Sequence, residues 1–197
     1  MEITTSMIKD LREASGAGVL DCKKALEASG GDLEKAKAFL QEKGLAAAAK
    51  KADREVKEGL IEAYVHAGGR VGALIELGCE TDFVARTEGF KELAHDLAMQ
   101  IVATNPLCLT PEDIPPDVLE QEKTTYRIQA REQGKPEQIV DRIVEGKLQK
   151  YYQEVCLLVQ PFIKNDELTV QDVITQMIAK VGENIVVRRF ARFELGG

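Results

Sequence analysis

From Gly59 to Cys79 the apolar residues recur with a period of two. Ile61, Ala63 and Val65 share one side, with Glu62, Tyr64 and His66 opposite. After Ala67-Gly68-Gly69, the residues Val71, Ala73, Ile75, Leu77 and Cys79 alternate with Arg70, Gly72, Leu74, Glu76 and Gly78. A helix cannot hold a period of two on one face, whereas a strand does so by construction. Two such runs around a glycine-rich turn predict an antiparallel hairpin with one face buried. Near the C-terminus, Ile185, Val187, Ala191 and Phe193 alternate with Arg188, Phe190 and Arg192. That strand can join the hairpin to give a three-stranded antiparallel sheet.

Most of the remaining chain has a helical period, apart from breaks such as the proline-punctuated stretch 106–116. Met7, Ile8 and Leu11 form a stripe behind a Thr4 or Thr5 cap, and Ser15-Gly16-Ala17-Gly18 ends it. A second helix over Val19–Ala28 places Cys22, Ala25 and Leu26 on one side. A third starts at Asp32, with Leu33, Ala36, Phe39 and Leu40 expected to face inward. Three helices in so short a stretch make a small bundle. Leu45 to Lys57 has helical propensity without an apolar face and reads as a helical linker. The chain therefore divides into residues 1–52, the bundle and the start of the linker, and residues 53–197, an α+β core. Phe90, Leu93, Ala94, Leu97, Ala98 and Ile101 mark a core helix, and Val170 to Val181, capped by Thr169 with Asp172, marks another. These two helices are expected to cover the apolar side of the sheet. Between them, a weakly apolar segment from Asp117 and a stronger one from Ile139 to Val155 flank Gly134-Lys135-Pro136. They describe a helical hairpin, about 117–158, projecting from the core, or two ordinary surface helices.

Composition removes several function classes. The net charge of -7 opposes nucleic acid as the main ligand, since phosphate binding needs a cationic surface. Residues 1–52 carry nine Lys/Arg against eight Asp/Glu, so the acidity belongs to the remainder. No apolar run reaches the roughly 20 residues of a membrane span, and the first residues lack the order of a signal peptide. A cytoplasmic protein without membrane contact is expected. Cys22, Cys79, Cys108 and Cys156 are dispersed, which points to free buried thiols rather than a zinc site. Phosphate-loop, nucleophile-elbow and zinc-protease motifs are all missing from the sequence. Glu76, Glu80 and Asp82 read as a solvated face rather than metal ligands or an acid/base pair. Neither an enzyme nor a bound cofactor is expected, and binding to another protein is favoured.

One stretch remains, Thr81-Asp82-Phe83-Val84-Ala85-Arg86, placed where the strand ends and a helix begins. A phenylalanine in a turn is ordinarily folded into the core. The alternative is an outward ring that enters a partner.

Three long segments resemble the elongation factor Ts family. MIKDLREASGAGVLDCKKAL is similar to its opening signature, GALIELGCETDFVAR to its second, and GKPEQIVDRIVEGKLQKYYQEVCLLVQPF to its helical hairpin and following core segment. The resemblance implies a ubiquitin-associated-like bundle and a guanine-nucleotide exchange factor of translation elongation, with the GTPase elongation factor Tu as partner. It implies that Asp82 and Phe83 press in near the partner's Mg²⁺ site, with Thr81 and Val84 shaping the turn. Val19 and Leu20 match an additional contact, although one of them is expected to pack inside the bundle. Longer members carry two core units; here the elements occur once, TDFVAR matching the first unit and YVHAGGRVG the second. A single unit implies a symmetric homodimer through the mixed polar face of the sheet. Read without the resemblance, the same residues describe an adaptor that binds partners through its three-helix bundle.

Overall fold

In the computed structural model, which describes residues 3–196, the more apolar of the two alternating runs becomes the centre of the sheet. β1 (Glu58–Val65) and β2 (Val71–Cys79) form the expected hairpin, and β5 (Ile185–Glu194) pairs antiparallel with the other edge of β2. Gly59 has φ 146°, and a Cβ there would lie 2.2 Å from the Leu77 carbonyl oxygen, so only glycine lets β1 approach β2 at this point. Ala73, Ile75, Leu77 and Cys79 are buried beneath α5 (Glu88–Thr104) and α8 (Val170–Val181). The α8 ends match the sequence pattern: Thr169 and Asp172 form a reciprocal capping box, and Gly182 closes the helix at φ 80°. The class is α+β.

Register decides which side of β1 is covered. Leu60, Glu62 and Tyr64 pair with Leu77, Ile75 and Ala73, and cross-strand partners share a face. These three are half-buried against α5, where Glu62 and Tyr64 meet His95. Ile61, Ala63 and Val65 pair with Glu76, Leu74 and Gly72 and lie on the open face. In β5 the expected alternation breaks. Glu76 pairs with Arg189 but Leu77 with Val187, so Arg188 is an extra residue, a bulge. Ile185, Val187 and Phe190 consequently point inward, while Ala191 and Phe193 turn to the open face. Sequence alternation alone groups Ala191 and Phe193 with Ile185, and the bulge overturns that grouping.

The N-terminal helices are α1 (Thr5–Ser15), α2 (Val19–Ala28) and α3 (Leu33–Ala49). Their core is Leu11, Cys22, Ala25, Leu26 and Ala36, with Leu40 packed alongside. Leu33 and Phe39 do not join it and remain exposed. The expected helical linker also differs. Helix continues only through Ala49, and residues 51–53 form a turn. The alanine run extends α3 so that it reaches the core, with Gly44 against Thr175 and Ala48 against the main cluster. Gln41 donates to Asp172 at 3.2 Å across this seam.

α6 (Pro116–Glu132) and α7 (Glu137–Val155) form the helical hairpin, sealed by Ala130, Val140, Val144 and Leu148. Its base is tied down by buried amides. Gln100 of α5 donates to Gln160 and to the Pro161 carbonyl, each at 3.1 Å, and Gln160 donates to the Glu154 carbonyl at 2.8 Å. A short ribbon of β3 (Pro161–Phe162) and β4 (Asn165–Thr169), not expected from the sequence, connects the hairpin to α8.

Candidate functional site

The stretch 81–86 is a single helical turn, α4 (Asp82–Ala85), wedged between β2 and α5. Thr81 is its N-cap, its hydroxyl accepting from Val84 N at 3.4 Å. Behind the turn, the Cys79 thiol donates to the Thr81 carbonyl at 3.1 Å. Thr87, which caps α5, also donates its hydroxyl to the Val84 carbonyl at 2.8 Å. The pattern is amphipathic at the smallest scale: Val84 and Ala85 enter the main core, whereas Asp82 and Phe83 face out. Phe83 is 77% exposed, the most solvent-accessible large hydrophobic residue among those described. The inward reading of this ring is thereby overturned. Asp82 pairs with Arg86 at 2.7 Å, one turn on, and both side chains remain mostly exposed. A partner can therefore replace Arg86 as the counter-ion of Asp82 at small cost.

Val19 and Leu20 open α2 and are 53% and 72% exposed. Neither fills the bundle core, so the expectation that one of them packs inside does not hold. α2 buries Cys22, Ala25 and Leu26 instead, leaving its first turn as an apolar knob beside the Gly16–Gly18 loop.

The carboxylates do not converge. Glu76 binds Arg189 at 2.6 Å, Glu80 accepts from Asn184 N at 2.6 Å, and Asp82 holds Arg86. Among the described residues no three His, Cys, Asp or Glu side chains are grouped as metal ligands. His95 Nδ1 lies 3.0 Å from the Glu62 carboxylate, which accepts, and the ring meets Tyr64 edge-on. The four cysteines are unbridged. Cys108 and Cys156, 48 positions apart, nevertheless meet with sulfurs 3.5 Å apart, through a parallel bridge at the hairpin base that spacing alone does not disclose. Burial and the Cys108 thiol push the Cys156 thiol up to about 12, and burial together with the Glu183 charge pushes Cys79 to about 11, so both stay protonated at neutral pH.

The family model for elongation factor Ts matches residues 32–177, which include the turn, the sheet hairpin and the helical hairpin. The chain belongs to the elongation factor Ts family. It is 58% identical over 194 residues to "Elongation factor Ts" of Heliobacterium modesticaldum, covering 98% of this chain and 90% of the relative. It is 54% identical over 196 residues to that of Syntrophus aciditrophicus, covering 100% of this chain and 98% of the relative. Carboxydothermus hydrogenoformans has another, 57% identical over 194 residues, with 98% and 89% covered. A member of this family is a non-catalytic guanine-nucleotide exchange factor of translation elongation, with elongation factor Tu as its partner. No described helix is long and apolar enough to cross a membrane.

Proposed function

We propose that this chain, in the cytoplasm, promotes GDP release from elongation factor Tu by pressing Phe83 and Asp82 into the partner near its Mg²⁺ site. The observation that carries this reading is the 77% exposure of Phe83 on a turn whose other side is fixed in the core. A rigidly mounted apolar tip can pry apart packed elements of a partner. A flexible one would have to be ordered first, at an entropic cost. Exchange needs no bond-breaking. The factor binds the nucleotide-free GTPase better than the GDP-bound one, and by reciprocity this weakens the nucleotide. Disturbing the Mg²⁺ removes the charge that bridges protein and phosphates, so GDP leaves faster. Asp82 supplies the polar element, while Thr81 and Val84 hold the turn and do not themselves enter. Val19 and Leu20 form a second, apolar contact on the bundle.

The homodimer belongs to the same proposal. The open face of the sheet carries Ile61 at 66%, Val65 at 65%, Leu74 at 44% and Phe193 at 67% exposure, next to Leu195 at 65%. A contiguous apolar patch of this kind is costly to leave in water, and a second copy of the same face covers it by two-fold symmetry. Release of fluorescent GDP from elongation factor Tu, with and without the chain, tests the exchange reading. A rate that the chain leaves unchanged rejects it. Light scattering tests the dimer, and a monomeric mass at micromolar concentration rejects the self-association alone.

A further inference from the structure

The geometry points to Glu183 as the positioning residue of the exchange turn: its carboxylate, by gripping Thr81 through both oxygens, sets the direction in which Asp82 and Phe83 project. This inference rests on the reading of that turn as the exchange site.

A helical segment of four residues does not hold its own shape, because fixing a first turn costs more than its hydrogen bonds return. Its orientation must be imposed from outside. On the buried side this is done by Val84, Ala85 and the Cys79 thiol. On the exposed side it is done by Glu183. Oε2 accepts from Thr81 N at 3.0 Å, and Oε1 accepts from the Thr81 hydroxyl at 2.7 Å. With its proton committed to Glu183, the Thr81 hydroxyl turns a lone pair toward Val84 N, the bond that caps the turn. Removing the carboxylate frees both the N–H and the hydroxyl rotor of the cap.

Glu183 is itself well held. It follows Gly182, whose left-handed conformation ends α8, so the helix aims it. The next residue returns the grip. Asn184 N donates to Glu80 Oε1 at 2.6 Å, and the Asn184 amide donates to the carbonyls of Ala52 and Arg54 at 3.2 and 3.3 Å. Glu80-Thr81 and Glu183-Asn184 are thus clasped reciprocally across more than a hundred residues of sequence. Asn184 is almost fully buried and supports the fold, whereas Glu183 is partly exposed and bonds only the cap residue of the turn among the described side-chain hydrogen bonds. That division marks Glu183 as acting on the turn rather than on the core.

The test is release of fluorescent GDP from elongation factor Tu over a range of factor concentrations, giving a maximal stimulated rate and a half-saturating concentration. Glu183→Ala lowers the maximal rate about tenfold with half-saturation changed less than about twofold, because Val19, Leu20 and the remaining contact surface are untouched. Glu183→Gln, similar in shape and with one acceptor oxygen left, falls between Glu183→Ala and wild type, and it serves as the well-folded control. Glu183→Ala added to Phe83→Ala costs well under its own tenfold, since only the Asp82 carboxylate remains to be aimed. Wild-type maximal rates for both Glu183 variants, alongside a slow Phe83→Ala, overturn the positioning role and leave the turn reading standing. A wild-type rate for Phe83→Ala overturns both. Losses that multiply in the double variant assign Glu183 a role separate from the turn and reject the inference.

Discussion

Phe83 and Phe193 are both exposed phenylalanines, at 77% and 67%, but they occupy opposite kinds of surface. Phe83 stands alone at the tip of a turn, with charged Asp82 and Arg86 around it and a clasp behind it. Phe193 lies in a strand opposite Gly72, among Leu74, Val65 and Leu195. An isolated ring presents little area and one direction, which suits insertion into a partner. A ring within a sheet face adds to a broad apolar area, which suits lasting association between copies. The same residue type thus has two expected uses, separated by what surrounds it.

The largest effect expected from breaking this contrast is on the sheet. Phe193→Asp places a charge on each side of the two-fold and weakens self-association by at least about a hundredfold, read by sedimentation across a concentration series. Unchanged association would remove the sheet face from the dimer. Phe83→Ala follows, slowing factor-stimulated GDP release about thirtyfold while leaving the melting temperature in place, because the ring has little burial to lose. Val84→Ala, one position along and buried, does the converse. It lowers unfolding stability in urea by about 1.5 kcal/mol and slows release only as far as the turn loosens. A Val84 variant of full stability would mean that the turn is not seated in the core as described. The smallest change is that of Asp82→Ala, a roughly fivefold slower release at millimolar Mg²⁺. Chelating the Mg²⁺ should bring wild type and variant together, since the step assigned to Asp82 is then bypassed. A deficit that persists in chelator would separate Asp82 from the metal.

Local pattern disclosed most of this fold. The helices follow the 3.6 period, the Thr169–Asp172 box and Gly182 mark the ends of α8, and the hairpin follows from alternation around Ala67-Gly68-Gly69. What stayed hidden depends on partners distant in sequence. Alternation in β1 identifies two sides but not which one meets α5, because that follows from register against β2. The bulge at Arg188 shifts the facing of Ala191 and Phe193, and its one trace in the run is Arg189, which strict alternation would set on the apolar side with Ile185 and Val187. Phe39 and Leu33 fit the apolar stripe of α3 yet remain outside a bundle core too small to take them. At the site, Asp82 and Phe83 stood out because they interrupt two strong periodic segments. Glu183 has no such signal: an acidic residue after a helix-ending glycine is ordinary, and its importance comes from Thr81, 102 positions earlier.

The contrast also explains why the turn is mounted as it is. α8 reaches Gln41 and Gly44 of the bundle near its start and carries Glu183 just past its end. One helix of twelve residues, about 18 Å long, thus connects α3 of the bundle, on which α2 with Val19 and Leu20 packs, with the turn bearing Phe83. Under the proposed exchange role, this arrangement lets the bundle contact hold a GTPase while the turn displaces.

Stopped-flow release of fluorescent GDP from elongation factor Tu, at saturating factor and fixed Mg²⁺, compares wild type with Phe83→Ala most directly. A stimulated rate about thirtyfold lower for the variant, with melting temperature and half-saturating concentration nearly unchanged, is the result predicted for an inserted ring. Equal rates for the two proteins would contradict it and leave the turn as a purely structural element.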